Sequence, residues 1–223
     1  MQWAAATLYA LAGLLLLFLV IFRVARRWLK FPTPAFMTLI MDNPVRRKLI
    51  QNPDIVAERM GLEPGMTVVE VGPGKGSYTF AVAQRIAPGT IYACDIQPTV
   101  VEWLRARAAH IGITNVDARV EDVYGFSFDD NLVDRVLMIA CLPEIPDPVR
   151  VLRECRRILR PDGLICLSEL LPDPDYPLRS TERRWAAEAG LELDREYGNL
   201  FVYQLHFRKS LRAHEGEFAR DSH

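Results

Sequence analysis

The sequence predicts an α/β fold built on a mostly parallel sheet and preceded by one membrane-spanning helix. Three observations carry that expectation. An apolar run, Val68 to Val71, feeds a glycine-rich turn and then residues at helical spacing, Tyr78, Ala81, Val82 and Ile86. Strand-like and helical runs alternate from there to the end, where Gly198-Asn199 joins two last strands that must therefore pair antiparallel. Near the N-terminus, Trp3 to Phe22 is an uncharged run of 20 residues. A helix of that length, at about 1.5 Å per residue, spans the roughly 30 Å hydrocarbon core.

Half of the 223 residues are hydrophobic, enough for one α/β core plus an appendage. A net charge of −1 exerts no general pull on polyanions, so nucleic acid is not an expected partner. Cys94, Cys141, Cys155 and Cys166 fall singly, three in strand-like runs and one in a helical stretch, with no C-x-x-C. They read as small buried apolar residues in a reducing compartment, and no metal is expected.

The run 3–22 lacks the basic leader and small-residue cut site of a cleaved signal, and it has no wet face. It is expected to anchor the chain in the bilayer. Arg23, Arg26, Arg27 and Lys30 all follow it, so the positive-inside rule places the rest on the cytoplasmic side of a single-pass protein. The expected divisions are the anchor and its basic flank (1–30), a linker and helical segment (31–62), the α/β domain (63–209) and a charged tail (210–223) expected to be disordered. Phe31-Pro-Thr-Pro-Ala35 is a stiff joint. Pro44 and Pro53, preceded by Asn43 and Asn52, are each set to open a helix. Arg46-Arg47-Lys48 reads equally as a lipid-headgroup contact or as a solvated helix face.

The loop after the first strand has glycines at 72, 74 and 76, behind Glu70. A dinucleotide loop wants G-x-G-x-x-G, and Ser77 stands where its third glycine belongs. The second strand, Thr90 to Asp95, ends on a carboxylate that can serve a ribose diol or simply cap a turn. Pro98 to His110 is a helix, Asn115 to Val120 a third strand, and Val133 to Cys141 a fourth, apolar enough to be buried on both faces. Asp147-Pro148 opens the next helix, whose side Leu152, Cys155 and Leu159 line, and Arg160-Pro-Asp-Gly163 is read as its stop. Leu164 to Leu171 is the fifth strand, Arg179 to Ala189 a helix, and Leu191 to Tyr197 and Leu200 to Arg208 form the final hairpin.

The alternating pattern Glu70, Gly72, Gly74, Gly76 resembles the first motif of the class I S-adenosylmethionine-dependent methyltransferases. Val133 to Leu171 resembles the branch that contains ubiquinone/menaquinone C-methyltransferases, most closely over Arg156 to Gly163. The resemblance covers residues 64–208. It implies a Rossmann-like seven-stranded sheet of order 3-2-1-4-5-7-6 with the last strand antiparallel, and S-adenosyl-L-methionine as cofactor, leaving as S-adenosyl-L-homocysteine. It further implies a cofactor site of Glu70, Gly72, Pro73, Gly74, Gly76, Tyr78, Asp95 and Ile96 with Glu121, Asp122 and Val123 after the third strand. Ala140, Cys141 and Leu142, after the fourth, would flank the methionine part, and Asp122 would stand where the family binds the adenine amino group. In the family the segment before the first strand covers the cofactor cleft.

Glu144 is the candidate general base, with a surface turn residue as its plainer reading. His206 is expected to pack, and the Asn/Asp-Pro-Pro-Phe/Tyr signature of amine methylation is missing. The expected function is methyl transfer to a small hydrophobic or lipid-like acceptor, a quinone, phospholipid amine or thiol, that enters between residues 36–60 and the sheet. A nucleotide-dependent oxidoreductase and a non-catalytic membrane scaffold of the same fold are the alternatives.

Overall fold

The computed structural model describes residues 44–171 and 173–210, together with residues 13, 17 and 21. The expected anchor 3–22 lies outside the described residues apart from those three positions, as do its basic flank, the joint 31–35 and the tail after Ser210. Among the described residues, no helix is long and apolar enough to cross a membrane.

A short π-helical turn, Arg46–Ile50, precedes α1 (Pro53–Arg59). Asn52 caps α1 by accepting the Asp54 N–H at 2.8 Å, and Pro53 occupies its first position, where a missing N–H costs nothing. The sheet begins with β1 (Val68–Val71), crosses through α2 (Ser77–Ile86) to β2 (Ile91–Asp95) and through α3 (Pro98–His110) to β3 (Val116–Val120). The chain then returns to β4 (Val133–Ile139) on the far side of β1, and α4 (Pro148–Ile158) leads to β5 (Leu159–Leu170). After α5 (Arg179–Glu188) come β6 (Leu191–Gly198) and β7 (Val202–Lys209). The order is β3-β2-β1-β4-β5-β7-β6, with β7 antiparallel to both neighbours. This is the expected seven-stranded Rossmann-like sheet.

All four residues of β1 are buried, because helices cover the central strands on both faces. Alternate residues divide between two cores. Val69 and Val71 join Leu152, Cys155 and Ile158 of α4, whereas Val68 joins Val82 and Ile86 of α2 and Val56 of α1. The edge strand β6 buries only Leu191 and exposes Glu192, Asp194 and Arg195, a charged rim that discourages further strand pairing. Cys94, Cys155 and Cys166 are buried, and their thiols are pushed above the ordinary range mainly by that burial.

Three boundaries differ from the sequence reading by more than one residue. Leu159 belongs to β5 rather than to the helix, because it pairs with Val133. The next paired residues are Leu164 and Arg135, so Arg160-Pro-Asp-Gly163 bulges out of the strand instead of preceding it. β4 stops at Ile139, because Ala140 turns to φ +50° and Cys141 leads into a 3-10 turn, Leu142–Glu144. The last hairpin loop is longer than Gly198-Asn199: Gly198 pairs with Tyr203, and Asn199 Oδ1 accepts the N–H groups of Phe201 and Val202.

Candidate active site

The site grows from the exit of β1. Gly72 lies at φ +67°, and a Cβ there would stand 2.5 Å from Cys141 Sγ. Only glycine lets the β1 and β4 exits approach so closely. Gly76, at φ +75°, closes the loop by donating its N–H to Pro73 O at 2.9 Å. A Cβ on Gly76 would strike Leu104 and Phe80, so this glycine seats α2 against α3. The first turn of α2, with the positive end of its helix dipole, therefore opens on the loop.

Carboxylates stand around the same opening. Glu70 is 1% exposed and accepts the Thr79 hydroxyl at 2.5 Å. Asp95, at the tip of β2, accepts the Gln97 N–H at 2.9 Å, and burial holds its carboxyl above the ordinary range against the lowering by the Gln97 and Ile96 N–H groups. Asp122 accepts the Tyr124 N–H at 2.9 Å. Ala140, in a backbone region disfavoured for any residue with a Cβ, is fixed by donating its N–H to Ser168 O at 2.9 Å. That bend turns Cys141 and Glu144 toward the opening. Burial, then Glu144 and Asp95, push the Cys141 thiol well above its usual range.

Together these exits enclose a cleft of about 230 Å³. Of the residues anticipated, Glu70, Gly72, Pro73, Gly74, Tyr78, Asp95, Ile96, Asp122, Val123, Ala140, Cys141 and Glu144 line it. Gly76, Glu121 and Leu142 do not lie on its wall. Gly76 packs helices, Leu142 is wholly buried in the core, and Glu121 accepts the Ser127 hydroxyl and N–H. His206 is away from the cleft, 1% exposed and 2.8 Å from Gln204 Nε2, with its imidazole pushed down to about 4 chiefly by burial.

Several wall residues were not among the expected site residues. Lys75, Ser77, Gln97 and Val100 adjoin the motifs, and Tyr124, Ile145 and Pro146 come from the loops after β3 and β4. Arg46 comes from outside the α/β domain. It donates to Gln51 Oε1 from Nε at 3.1 Å and from Nη2 at 2.8 Å. Gln51 in turn donates to Ser168 Oγ at 2.7 Å, and its carbonyl accepts the Tyr78 hydroxyl at 2.9 Å. Residues 46–51 are thus clamped across α2 and β5, beside the cleft. No local sequence signal foretells a contact that depends on the fold.

The strand order, with a cleft at the carboxyl ends of parallel strands where the topology switches, is the one that the resemblance to class I methyltransferases implies. A solved S-adenosylmethionine-dependent methyltransferase of Aquifex aeolicus superposes with a TM-score of 0.73 over 78% of this chain and 98% of its own, at 22% identity. Residues 69–167 match the family model described as "Methyltransferase domain". Nocamycin O-methyltransferase of Saccharothrix syringae is 33% identical over 64% of this chain and 47% of its own length. Ubiquinone biosynthesis O-methyltransferase of Xanthomonas campestris pv. campestris is 33% identical over 68% and 59%. The chain thus spans about half the length of the curated relatives it matches. Residues 69–167 are thus similar in sequence to methyltransferase domains, and the fold is that of a solved S-adenosylmethionine-dependent methyltransferase.

Proposed function

We propose that this chain is a membrane-anchored enzyme that moves the methyl group of S-adenosylmethionine to a small hydrophobic or lipid-like acceptor. The observation that carries the reading is the glycine-lined cleft with Asp95 and Asp122 at its rim. The residues present fit the cofactor: at Gly72 a Cβ would close the β1 exit onto Cys141, and acceptor-only carboxylates stand where a ribose diol and an amino group need partners. In this reading Asp95 takes the ribose hydroxyls, Asp122 the adenine amino group, and Glu70 with the Gly72–Gly74 backbone the methionine end. When bound, the cofactor supplies an electrophilic methyl on a sulfonium with a good leaving group.

The protein's own contribution is mainly placement. Holding an acceptor in line supplies on the order of 7–11 kcal/mol in well-oriented systems. Ala140 and Cys141 border the acceptor side, and Glu144 is positioned to take a proton from an acceptor that must lose one. Entry is between residues 44–60 and the sheet, where Arg46 and Tyr78 border the cleft. The uncharged run 3–22 and the basic residues after it support a bilayer anchor with the domain on the cytoplasmic side. Tethering favours acceptors that partition into membrane, and a relative named for ubiquinone biosynthesis is consistent with a quinone.

The test is to incubate full-length protein in detergent with methyl-labelled cofactor and host membrane lipids, then identify the labelled product by mass spectrometry. A labelled lipid-soluble product is expected. Labelling of soluble small molecules alone would remove the lipid-type acceptor.

A further inference from the structure

We infer that the cleft end of the domain is itself a second bilayer contact, made by the tip of the β6–β7 hairpin and the residues before α1. This rests on the anchoring proposed above and adds the orientation of the domain. Leu200 is 62% exposed and Phe201 63%, at the hairpin tip, with Leu178 60% exposed. These positions are tied together. Arg179, next to Leu178, donates to Asn199 O at 2.8 Å, and the Leu171 N–H donates to Phe201 O at 2.7 Å.

The second group is Val45, 58% exposed, and Leu49, 81% exposed. Register places both groups at one end of the molecule. Ser168 pairs with Ile139, a cleft residue, and with Gln204; Leu170 pairs with Val202, just before the hairpin tip. Gln51, bonded to Ser168, holds the 46–51 turn at that level. Hairpin tip, turn and cleft therefore share the carboxyl end of the sheet.

The charges fit a lipid surface. Arg47 and Lys48 are exposed beside Leu49, and no acidic residue occurs between Pro44 and Pro53. Asn199 to Phe201 contain none either, and the Arg179 charge is balanced by Glu196 at 3.5 Å. Apolar side chains flanked by cations are what an anionic interface binds. A few such residues suffice here because the anchor makes the contact intramolecular. The residues between Phe22 and Pro44 reach at most about 75 Å when fully extended. Docked this way, the domain presents its cleft to the acyl region, and a lipid-like acceptor enters without crossing water.

The test uses the full chain in nanodiscs of phosphatidylcholine and phosphatidylglycerol, one chain per disc. A Phe201→Cys variant carries an environment-sensitive fluorophore, and some lipids carry an acyl-chain nitroxide. Asp162→Cys, in the bulge of β5 at the opposite end, is the control. The label at 201 is expected to shift to shorter wavelength and to be quenched about threefold or more beyond the control, as for interfacial residues. Equal quenching at the two positions overturns the inference while leaving anchoring intact. A wavelength shift without nitroxide quenching assigns the patch to protein packing and also overturns it. Chains that do not stay with the discs sink the anchoring as well, whereas cofactor binding, read separately by calorimetry, stands on its own.

Discussion

Around β1, β2 and β3 the cleft is made of main chain and of carboxylates at strand ends. Around β5, β7 and α5 the molecule is held by side chains that meet from distant parts of the chain. Gly72, Asp95 and Asp122 each take their place from the strand they end. On the other side Gln51 reaches Ser168, Ser168 bonds Tyr203 O at 3.0 Å, and Glu169 on β5 lies beside Glu182 on α5, both 0% exposed. The first kind of site can be rebuilt in any chain with the fold. The second belongs to this sequence, and in our account it is the side the acceptor approaches.

The comparison breaks hardest at Gly72. Gly72→Ala imposes a disfavoured φ and a 2.5 Å approach to Cys141 Sγ. A loss of about 2–4 kcal/mol in stability is expected, with cofactor affinity down by roughly 100-fold or more. Adding Cys141→Ala should restore part of the melting temperature, because it relieves the contact but not the backbone strain. Asp95→Asn keeps the shape and removes the charge. Calorimetry should show cofactor binding weakened by about 10- to 150-fold, in line with a charged hydrogen bond worth about 1.5–3 kcal/mol, at an unchanged melting temperature.

The other side is probed by pH. Burial lifts the Glu169 and Glu182 carboxyls above the ordinary range, Glu182 to about 8. The native pair holds protons that the unfolded chain releases above about pH 4.3, so stability falls as pH rises from there through about 8. His206 acts oppositely: with its pKa lowered to about 4, its contribution is complete above about pH 6.5 and is lost as pH falls toward 4. Between about pH 6.5 and 8 the His206 contribution is complete while that of the acid pair still changes. Melting curves over that interval should slope downward in the wild type and more gently in Glu182→Gln, which should gain about 1–2 kcal/mol at pH 8. The smallest effect is Tyr78→Phe, which removes the 2.9 Å bond to Gln51 O and should cost about 1 kcal/mol. Hydrogen exchange should report that loss at residues 46–51.

The same contrast governs what could be read before the fold was seen. Helix α3 matches its sequence limits, and strands β1 to β3 fall within a residue of theirs, because Gly72, Asp95 and Glu121 mark the strand ends and Pro98 opens the helix. The glycine loop and the rim carboxylates were legible because strand ends fix them. The sequence places Leu159 in the helix because Arg160-Pro-Asp-Gly163 carries every mark of a helix stop, whereas the bulge that lets β5 start earlier is a matter of pairing with Val133. Arg46 carried only the lipid-headgroup or solvated-face reading, yet it is buried on Gln51; Gln51 gave no signal, as its partners Ser168 and Tyr78 lie across the fold. Glu169 did give one: a carboxylate inside the apolar run Leu164 to Leu171 marks a buried charge in need of an explanation.

The most direct measurement is a crystal structure of the protein bound to S-adenosylhomocysteine. The account predicts the ribose on Asp95, the adenine beside Asp122 and the homocysteine end over the Gly72–Gly74 backbone. A nucleoside bound elsewhere, or a cleft still empty at saturating ligand, would contradict it.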